Sequence, residues 1–310
     1  MAAALCVTGL AAAEVPAGLR LRVAVLSDIH IRGRDKFLVP FAKALKWYDA
    51  QRVDGLVIAG DMADFGLVEQ LQVVGEAIDE VFPNGRSARD GRPVERMFVT
   101  GNHDFNHFND KGAKALYPDD KERYDRSMNK DFGAAFRQCL HRDYRPFFVQ
   151  RIKGYVFVGR QFRAKGVGTY LEEIRSEIDP KKPFFFVQHQ HPKDTCYGPD
   201  AQGHDDGDST KALKAFPNAI VLSGHSHTSL EYEDGFWQKE FTSVGLGSLQ
   251  YVVFRKPDGS TRGSRRHHQG LLMDVYDDRV VFERLSFDEN SDCPKPIKTP
   301  WQASVCGAIK

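Results

Sequence analysis

The sequence predicts a layered α/β protein with a mainly parallel inner sheet, and three observations carry this. Five short apolar runs each stop at a cluster of polar residues. Amphipathic stretches suited to helices lie between them, and the later chain changes to closely paired, hairpin-like strands. The runs are mostly apolar on both faces, as expected of strands buried in the middle of layers. Alternation of strand and helix implies parallel pairing, with active groups at the carboxyl ends of the strands.

The chain of 310 residues is long enough to bury a full core. Charged residues make up 27% and the formal net charge is +1, a balance that excludes a general nucleic-acid or membrane-surface binder, which would show a basic excess. Residues 1–13, within "MAAALCVTGLAAAEVPAG", form an uncharged small-residue run too short to span a bilayer. They end in Ala11-Ala12-Ala13 before Glu14, the pattern of a cleavage site, although no Lys or Arg opens the run. The expectation is a signal peptide, hence an exported or periplasmic protein; the alternative is a disordered tail on a cytoplasmic one. Residues 14–310 read as one domain, since no Gly/Ser linker divides them.

Strands are expected at "LRVAVLS" (21–27), "GLVIAG" (55–60), "RMFVTG" (96–101), "PFFFVQ" (183–188) and "NAIVLSG" (218–224). Helices are expected at 38–50, 67–82, 122–138 and 168–178, where apolar residues recur at helical spacing. A hairpin is expected over 146–160 around Lys153-Gly154. "KEFTSVGLGSLQYVVF" (239–254) and "GLLMDVYDDRVVFERLSF" (270–287) read as further strands that extend the first sheet or form a second, the latter pair turning at Asp277-Asp278. Between them, "RGSRRHHQG" (262–270) reads as a solvated turn or an anion clamp of Arg262, Arg265, Arg266, His267 and His268. Without Cys6 the cysteines number four, and Cys293 and Cys306 bracket a Pro-rich tail that a disulfide would staple; free thiols are the alternative.

The chemistry lies in the five polar clusters: "SDIH", "AGDMAD", "TGNHD", "QHQHP" and "SGHSH". Asp28 and His30 are two apart, as are His225 and His227, so on extended backbone each pair leaves by one face. Neighbouring strands lie about 4.8 Å apart, so their ends can converge on ions. Asp28, His30, Asp61, Asn102, His189, His225 and His227 make seven candidate ligands, too many for one tetrahedral ion and enough for two sharing a carboxylate. The donors are carboxylate, amide and imidazole without thiolate, a set that suits Mn, Fe or Zn.

The order D-x-H, G-D, G-N-H-D, strand-end H and G-H-x-H resembles the calcineurin-like metallophosphoesterase superfamily, over about residues 22–228. The resemblance implies a four-layer α/β/β/α sandwich, with the strands after 228 in the second sheet, and a dinuclear centre of two divalent ions. It implies Asp28, His30 and His227 on one ion, Asn102, His189 and His225 on the other, and Asp61 bridging. It gives His103 to the substrate as the catalytic group, with Asp104 orienting its ring. Gln190 stands where many relatives carry the fourth-block His. His189 and His191 flank it, and His189 is the better fit because it directly follows the strand. Purple acid phosphatases look similar but place a Tyr ligand where this chain has Asp64, which argues against an iron-tyrosinate centre. His107, Phe105 and Phe108 suit loop packing, and the polar loop 191–208 suits specificity.

The activity implied is hydrolysis of a small phosphomonoester or phosphodiester by metal-activated water. A small phosphorylated substrate is the expected partner, with no nucleic acid and no stable membrane insertion. A nuclease is disfavoured because no basic stripe with interleaved aromatics is visible. A non-catalytic binding scaffold on the same fold is the rival reading, disfavoured because the full ligand set and His103 are present.

Overall fold

The computed structural model describes residues 12–34, 36–105, 114, 121–122, 131–199, 201–264, 267–287, 291 and 293–305. Nearly all of the expected signal peptide, His107, Phe108, Arg265, Arg266 and Cys306 lie outside these. The expected Cys293–Cys306 bridge therefore has one partner within the described residues, the exposed Cys293.

Two mixed sheets lie face to face. The first has the order β14-β13-β12-β1-β2-β3, with β15 also paired to β13. Its strands are β1 (Leu21–Leu26), β2 (Gly55–Ala59), β3 (Glu95–Val99), β12 (Gln269–Val275), β13 (Arg279–Ser286), β14 (Lys295–Pro296) and β15 (Trp301–Ser304). The second has the order β4-β5-β6-β7-β9-β8, from β4 (Phe147–Ile152), β5 (Tyr155–Arg160), β6 (Phe184–Val187), β7 (Ala219–Ser223), β8 (Phe236–Gln238) and β9 (Thr242–Gly245). The runs β1-β2-β3 and β5-β6-β7-β9 are parallel. A separate pair joins β10 (Val252–Arg255) to β11 (Thr261–Ser264).

Three apolar cores define four layers. Strand side chains alternate between faces, and β1 obeys this: Leu21, Val23 and Val25 join Phe157, Phe185 and Leu222 between the sheets. Ala24 and Leu26 instead meet helices α1 (Leu38–Ala50), α2 (Val68–Val81) and α3 (Phe132–Leu140). Phe41, Leu45 and Tyr48 of α1 and Leu71, Val74 and Ile78 of α2 recur at helical spacing and are buried there. On the far side Phe184 and Phe186 of β6 pack under α4 (Val167–Glu173) and α5 (Asp208–Leu213). The arrangement is an α/β/β/α sandwich. No helix of the described residues is long and apolar enough to cross a membrane.

The hairpin over 146–160 forms as expected, with Lys153 (φ 48°) and Gly154 (φ 82°) both left-handed, the backbone of a type I′ turn. Three expectations need correction. The strands after 228 divide: β8 and β9 enter the second sheet, whereas β12 returns beside β1 and takes β13, β14 and β15 into the first. The continuous run 239–254 breaks into β9 and β10, because residues 246–251 cross the site and hydrogen-bond Ser27 and Asp28. The helix expected over 168–178 stops at Glu173 and tightens into a 3₁₀ turn at Arg175–Glu177. Of the helix expected over 122–138, residues 123–130 lie outside the described residues, and its later part forms α3, Phe132–Leu140, with the Asp131 carboxylate accepting from the Ala134 amide.

Candidate metal centre

The carboxyl ends of β1, β2, β3, β6 and β7 meet at one edge of the sandwich and deliver the five clusters to a single buried site. Asp28, His30, Asp61, Asn102, His189 and His227 are all buried. Asp28, His30, Asp61 and His227 can hold one ion, and Asp61, His189 and His225 a second, so Asp61 belongs to both groups. His227 Nε2 lies 3.0 Å from Asp28 Oδ1 and 3.2 Å from His30 Nε2. His189 Nε2 lies 3.2 Å from Asp61 Oδ2, 3.1 Å from Asn102 Oδ1 and 3.1 Å from His225 Nδ1.

The convergence does not arise from extended chain. Asp28 (φ 54°), His30 (φ 43°), Asp61 (φ 50°), His225 (φ 69°) and His227 (φ 54°) all adopt the left-handed backbone that non-glycine residues rarely take. Each such residue costs of order 1–3 kcal/mol and persists only where its surroundings over-determine it, and such residues gather at functional sites. The i, i+2 spacing was informative, but its stated geometry was wrong.

Glycines make the crowding possible. A Cβ on Gly60 would sit 2.3 Å from His189 Nδ1, one on Gly101 2.1 Å from Asp61 Oδ1, and one on Gly224 2.3 Å from Asp28 Oδ2. The glycine before each of Asp61, Asn102 and His225 therefore clears room for a site residue from another strand.

Outer partners fix three of the four candidate imidazoles. His189 Nδ1 donates to the Ala59 carbonyl and His227 Nδ1 to the Tyr251 carbonyl, which can only accept, so both rings turn Nε2 inward. His30 Nδ1 contacts Asp64 Oδ1 at 2.9 Å, and Arg32 holds the other oxygen of that carboxylate at 2.6 Å. Carboxylates and carbonyls in this position orient ligating imidazoles. A further grouping of His30, Asp64 and His103 thus reads as a hydrogen-bonded support. Asp64 does not reach inward as a ligand would.

His191 lies elsewhere. Its ring spans Ser223 Oγ (2.8 Å) and Ser226 Oγ (2.9 Å), and it joins neither candidate group. His103 sits at the rim with its side chain 23% exposed, its ring 4.6 Å from that of His30. Its Nδ1–H donates to the Asp64 carbonyl (2.8 Å), and its amide donates to Asp61 Oδ1 (2.8 Å). Asp104 does not orient this ring, contrary to expectation. Its two oxygens accept from the Ala63 and Gly101 amides and tie the β2 loop to the β3 loop.

The fit to divalent ions rests on this chain's own groups. Asp28 Oδ1 is fully buried and receives no well-directed hydrogen bond, its nearest nitrogen being His227 Nε2 at 3.0 Å, an arrangement that otherwise costs a desolvation penalty. Burial would raise the Asp28 carboxyl, but His227 and His189 hold it well below the usual range. Asp61 is likewise held low against burial, by His189 and His30. Burial would lower His189, and Asp61 and Asp28 instead lift it to about 9. Burial and the neighbouring His189 push His225 down to about 4. The carboxylates thus stay ionised, as ligation requires.

Two residues escaped the sequence reading. Asp64 stands where a tyrosine ligand is absent, yet it supports both His30, through its carboxylate, and His103, through its carbonyl; its signal is the acid three positions after Asp61. Tyr251, whose ring lies 4.1 Å from that of His227, follows a loop with no motif and left no signal. The "RGSRRHHQG" segment is not simply a turn: Arg262 lies in β11, and His268 is buried with Nδ1 donating to the Leu249 carbonyl. Phe105 stacks on Phe132.

Residues 21–229 match the sequence profile of the calcineurin-like phosphoesterases. No curated protein sequence matches the chain. Among solved structures, the fold is similar to a purple acid phosphatase from yellow lupin (Lupinus luteus) seeds, with a TM-score of 0.58 at 11% identity, over 92% of this chain and 53% of that one. A dimetal phosphatase from Danio rerio gives a TM-score of 0.52 at 10% identity, over 93% and 99%. GAP50, the anchor in the inner membrane complex of Plasmodium, gives 0.50 at 13% identity, over 93% and 89%. At these identities the likeness is one of fold.

Proposed function

Because the chain belongs to the calcineurin-like phosphoesterase family, we propose that it hydrolyses a small phosphomonoester or phosphodiester at a centre of two divalent ions. The family match and the Asp/His clusters support metal-dependent phosphoester hydrolysis in general. The observation that carries the finer reading is Asp61, which belongs to both ligand groups. In this reading Asp28, His30 and His227 hold one ion, Asn102, His189 and His225 the other, and Asp61 bridges them. Bound there, two ions would supply a nucleophile from water at neutral pH and neutralise charge on the phosphoryl oxygens.

The chain's own residues do the rest. Asp64 and the Ala59 and Tyr251 carbonyls lock three imidazoles in orientation, so little reorganisation is needed when charge grows in the transition state. His103, with Nδ1 committed to the Asp64 carbonyl, exchanges its proton through Nε2 and donates to the departing oxygen. The fold can also serve as an anchor, as the Plasmodium protein's description states, and one experiment separates the two readings. Metal-saturated protein is analysed for its elements and assayed on a panel of phosphomonoesters and diesters. About two ions per chain with turnover of at least one ester class is expected. A single ion at saturation overturns the dinuclear reading, and two ions without turnover of any ester favours the scaffold.

A further inference from the structure

Away from the metal centre, a cavity of about 380 Å³ opens between the edge strands β3 and β4 and the helices that flank them. Its volume is within the range of small-molecule sites. It lies beside Arg96, near the start of β3, whereas the centre lies beyond that strand's other end.

Three guanidinium groups line it: Arg96, Arg142 and Arg145. The Arg96 side chain is 4% exposed, and one of its nitrogens pairs with Asp79 at 2.6 Å. Its Nε is buried with no hydrogen-bond partner among the described residues. Among the described residues, Arg142 donates only to carbonyl oxygens, those of Arg96 and His141. Burial and the like charge of Arg96 lower its affinity for its proton. The acid at the mouth, Asp143, is engaged by Arg137 at 3.0 Å and lies 3.7 Å from Arg145. Like charges brought together under partial burial repel unless an anion joins them, and guanidinium forks suit the oxygens of a phosphate. The lining also includes an aromatic pair: Phe147 and Tyr170 stack at 4.9 Å and 18°.

We propose that this cavity is a second binding site, independent of the metal centre, for an organic phosphate that carries a flat ring. The phosphate lies against Arg96 and Arg142, with Arg145 at the mouth, and the ring lies along Phe147 and Tyr170. The probe is phenylphosphonate, which has no ester bond to hydrolyse, titrated by calorimetry into the metal-loaded full chain. One class of sites, one per chain, should survive both in Asp61→Ala and in wild-type protein treated with chelator. That class should weaken roughly tenfold or more in Arg142→Gln, since each lost charge-assisted hydrogen bond is worth at least that. Arg145→Gln, an exposed change that leaves the fold unburdened, should weaken it less but measurably, and both variants should keep wild-type phosphoesterase turnover. Inorganic phosphate should bind the same class more weakly than phenylphosphonate. The proposal is overturned if all binding disappears with chelator and in Asp61→Ala, or if Arg142→Gln and Arg145→Gln bind as wild type does. Equal affinity for inorganic phosphate would overturn the aromatic half of the assignment.

Discussion

At the scale of single residues the centre is a problem of crowding and of proton placement. Gly101 lies between β3 and Asn102, and a methyl group there would fall 2.1 Å from Asp61 Oδ1, a separation that no relaxation accommodates without disturbing that carboxylate. Gly101→Ala should therefore lose metal from both positions, whereas Gly33→Ala, at a glycine with open space around it and no left-handed φ, should keep both ions. Elemental analysis of the two variants checks this, and full metal content in Gly101→Ala would refute it. His103 makes the opposite case. Its side chain bonds to a carbonyl and lies in neither of the two ligand groups that share Asp61, so His103→Ala should keep both ions. Turnover should fall by about a hundred- to ten-thousand-fold, the range for removal of a positioned general acid. The loss should be smallest for a nitrophenyl ester, whose leaving group needs little protonation, and largest for an alkyl ester. Equal losses would mean that the imidazole stabilises phosphoryl charge without donating a proton.

At the scale of elements, what was legible in the sequence follows from what local patterning encodes. The central strands were visible because burial on both faces leaves an unbroken apolar run, as in "FFFV" of β6. Their polar ends were visible because the candidate ligands directly follow them. The route of the later strands was not visible: β12 pairs with β1 across 250 residues of sequence, a register such as Val23↔Met273 that alternation alone cannot specify. The backbone at the ligands was also hidden, since side-chain spacing does not distinguish extended chain from the left-handed turns found at Asp28 and His30. Asp104 was misassigned for a related reason. Adjacency in sequence makes this carboxylate the natural partner of His103, but two backbone amides with no sequence signature claim it. The stability of the sandwich resides in the faces between the elements. Phe185, fully buried, stacks on Phe157 at 4.5 Å between the two sheets. Phe185→Ala should cost about 3–5 kcal/mol, the range for emptying a large aromatic site in a core. Denaturant unfolding measures it, and a loss below about 1 kcal/mol would mean that the sheets close over the gap.

At the scale of the whole molecule, the centre couples metal loading to protons and to stability. In metal-free protein His189 is raised from 6.5 to about 9 because Asp61 and Asp28 outweigh its burial. A raised folded-state value means stability that is fully present below pH 6.5 and lost as pH climbs through 9. Asp61 runs the other way: held below its ordinary 3.8 by His189 and His30, it contributes above that value and loses the contribution as pH falls. The metal-free chain should accordingly melt at its highest temperature, as far as this pair is concerned, between about pH 4 and 6.5. An imidazole must give up its proton to ligate, so loading at pH 7.5 should release protons, and release should diminish as the starting pH approaches 9. Apparent metal affinity should rise over the same interval and then level off. Loaded protein should lose this dependence, because ions take over the charge balance that protonated His189 supplies in their absence, and bound metal stabilises the folded state by mass action. The measurement is a titration of chelator-treated protein with Zn²⁺ or Mn²⁺ in weak buffer, following pH, alongside melting curves of both forms from pH 5 to 9. Proton release that is absent at pH 7.5, or a metal-free melting temperature that climbs from pH 7 to 9, would show that His189 enters the cluster neutral. The Asp61–His189 contact would then be an ordinary hydrogen bond between a carboxylate and a neutral ring.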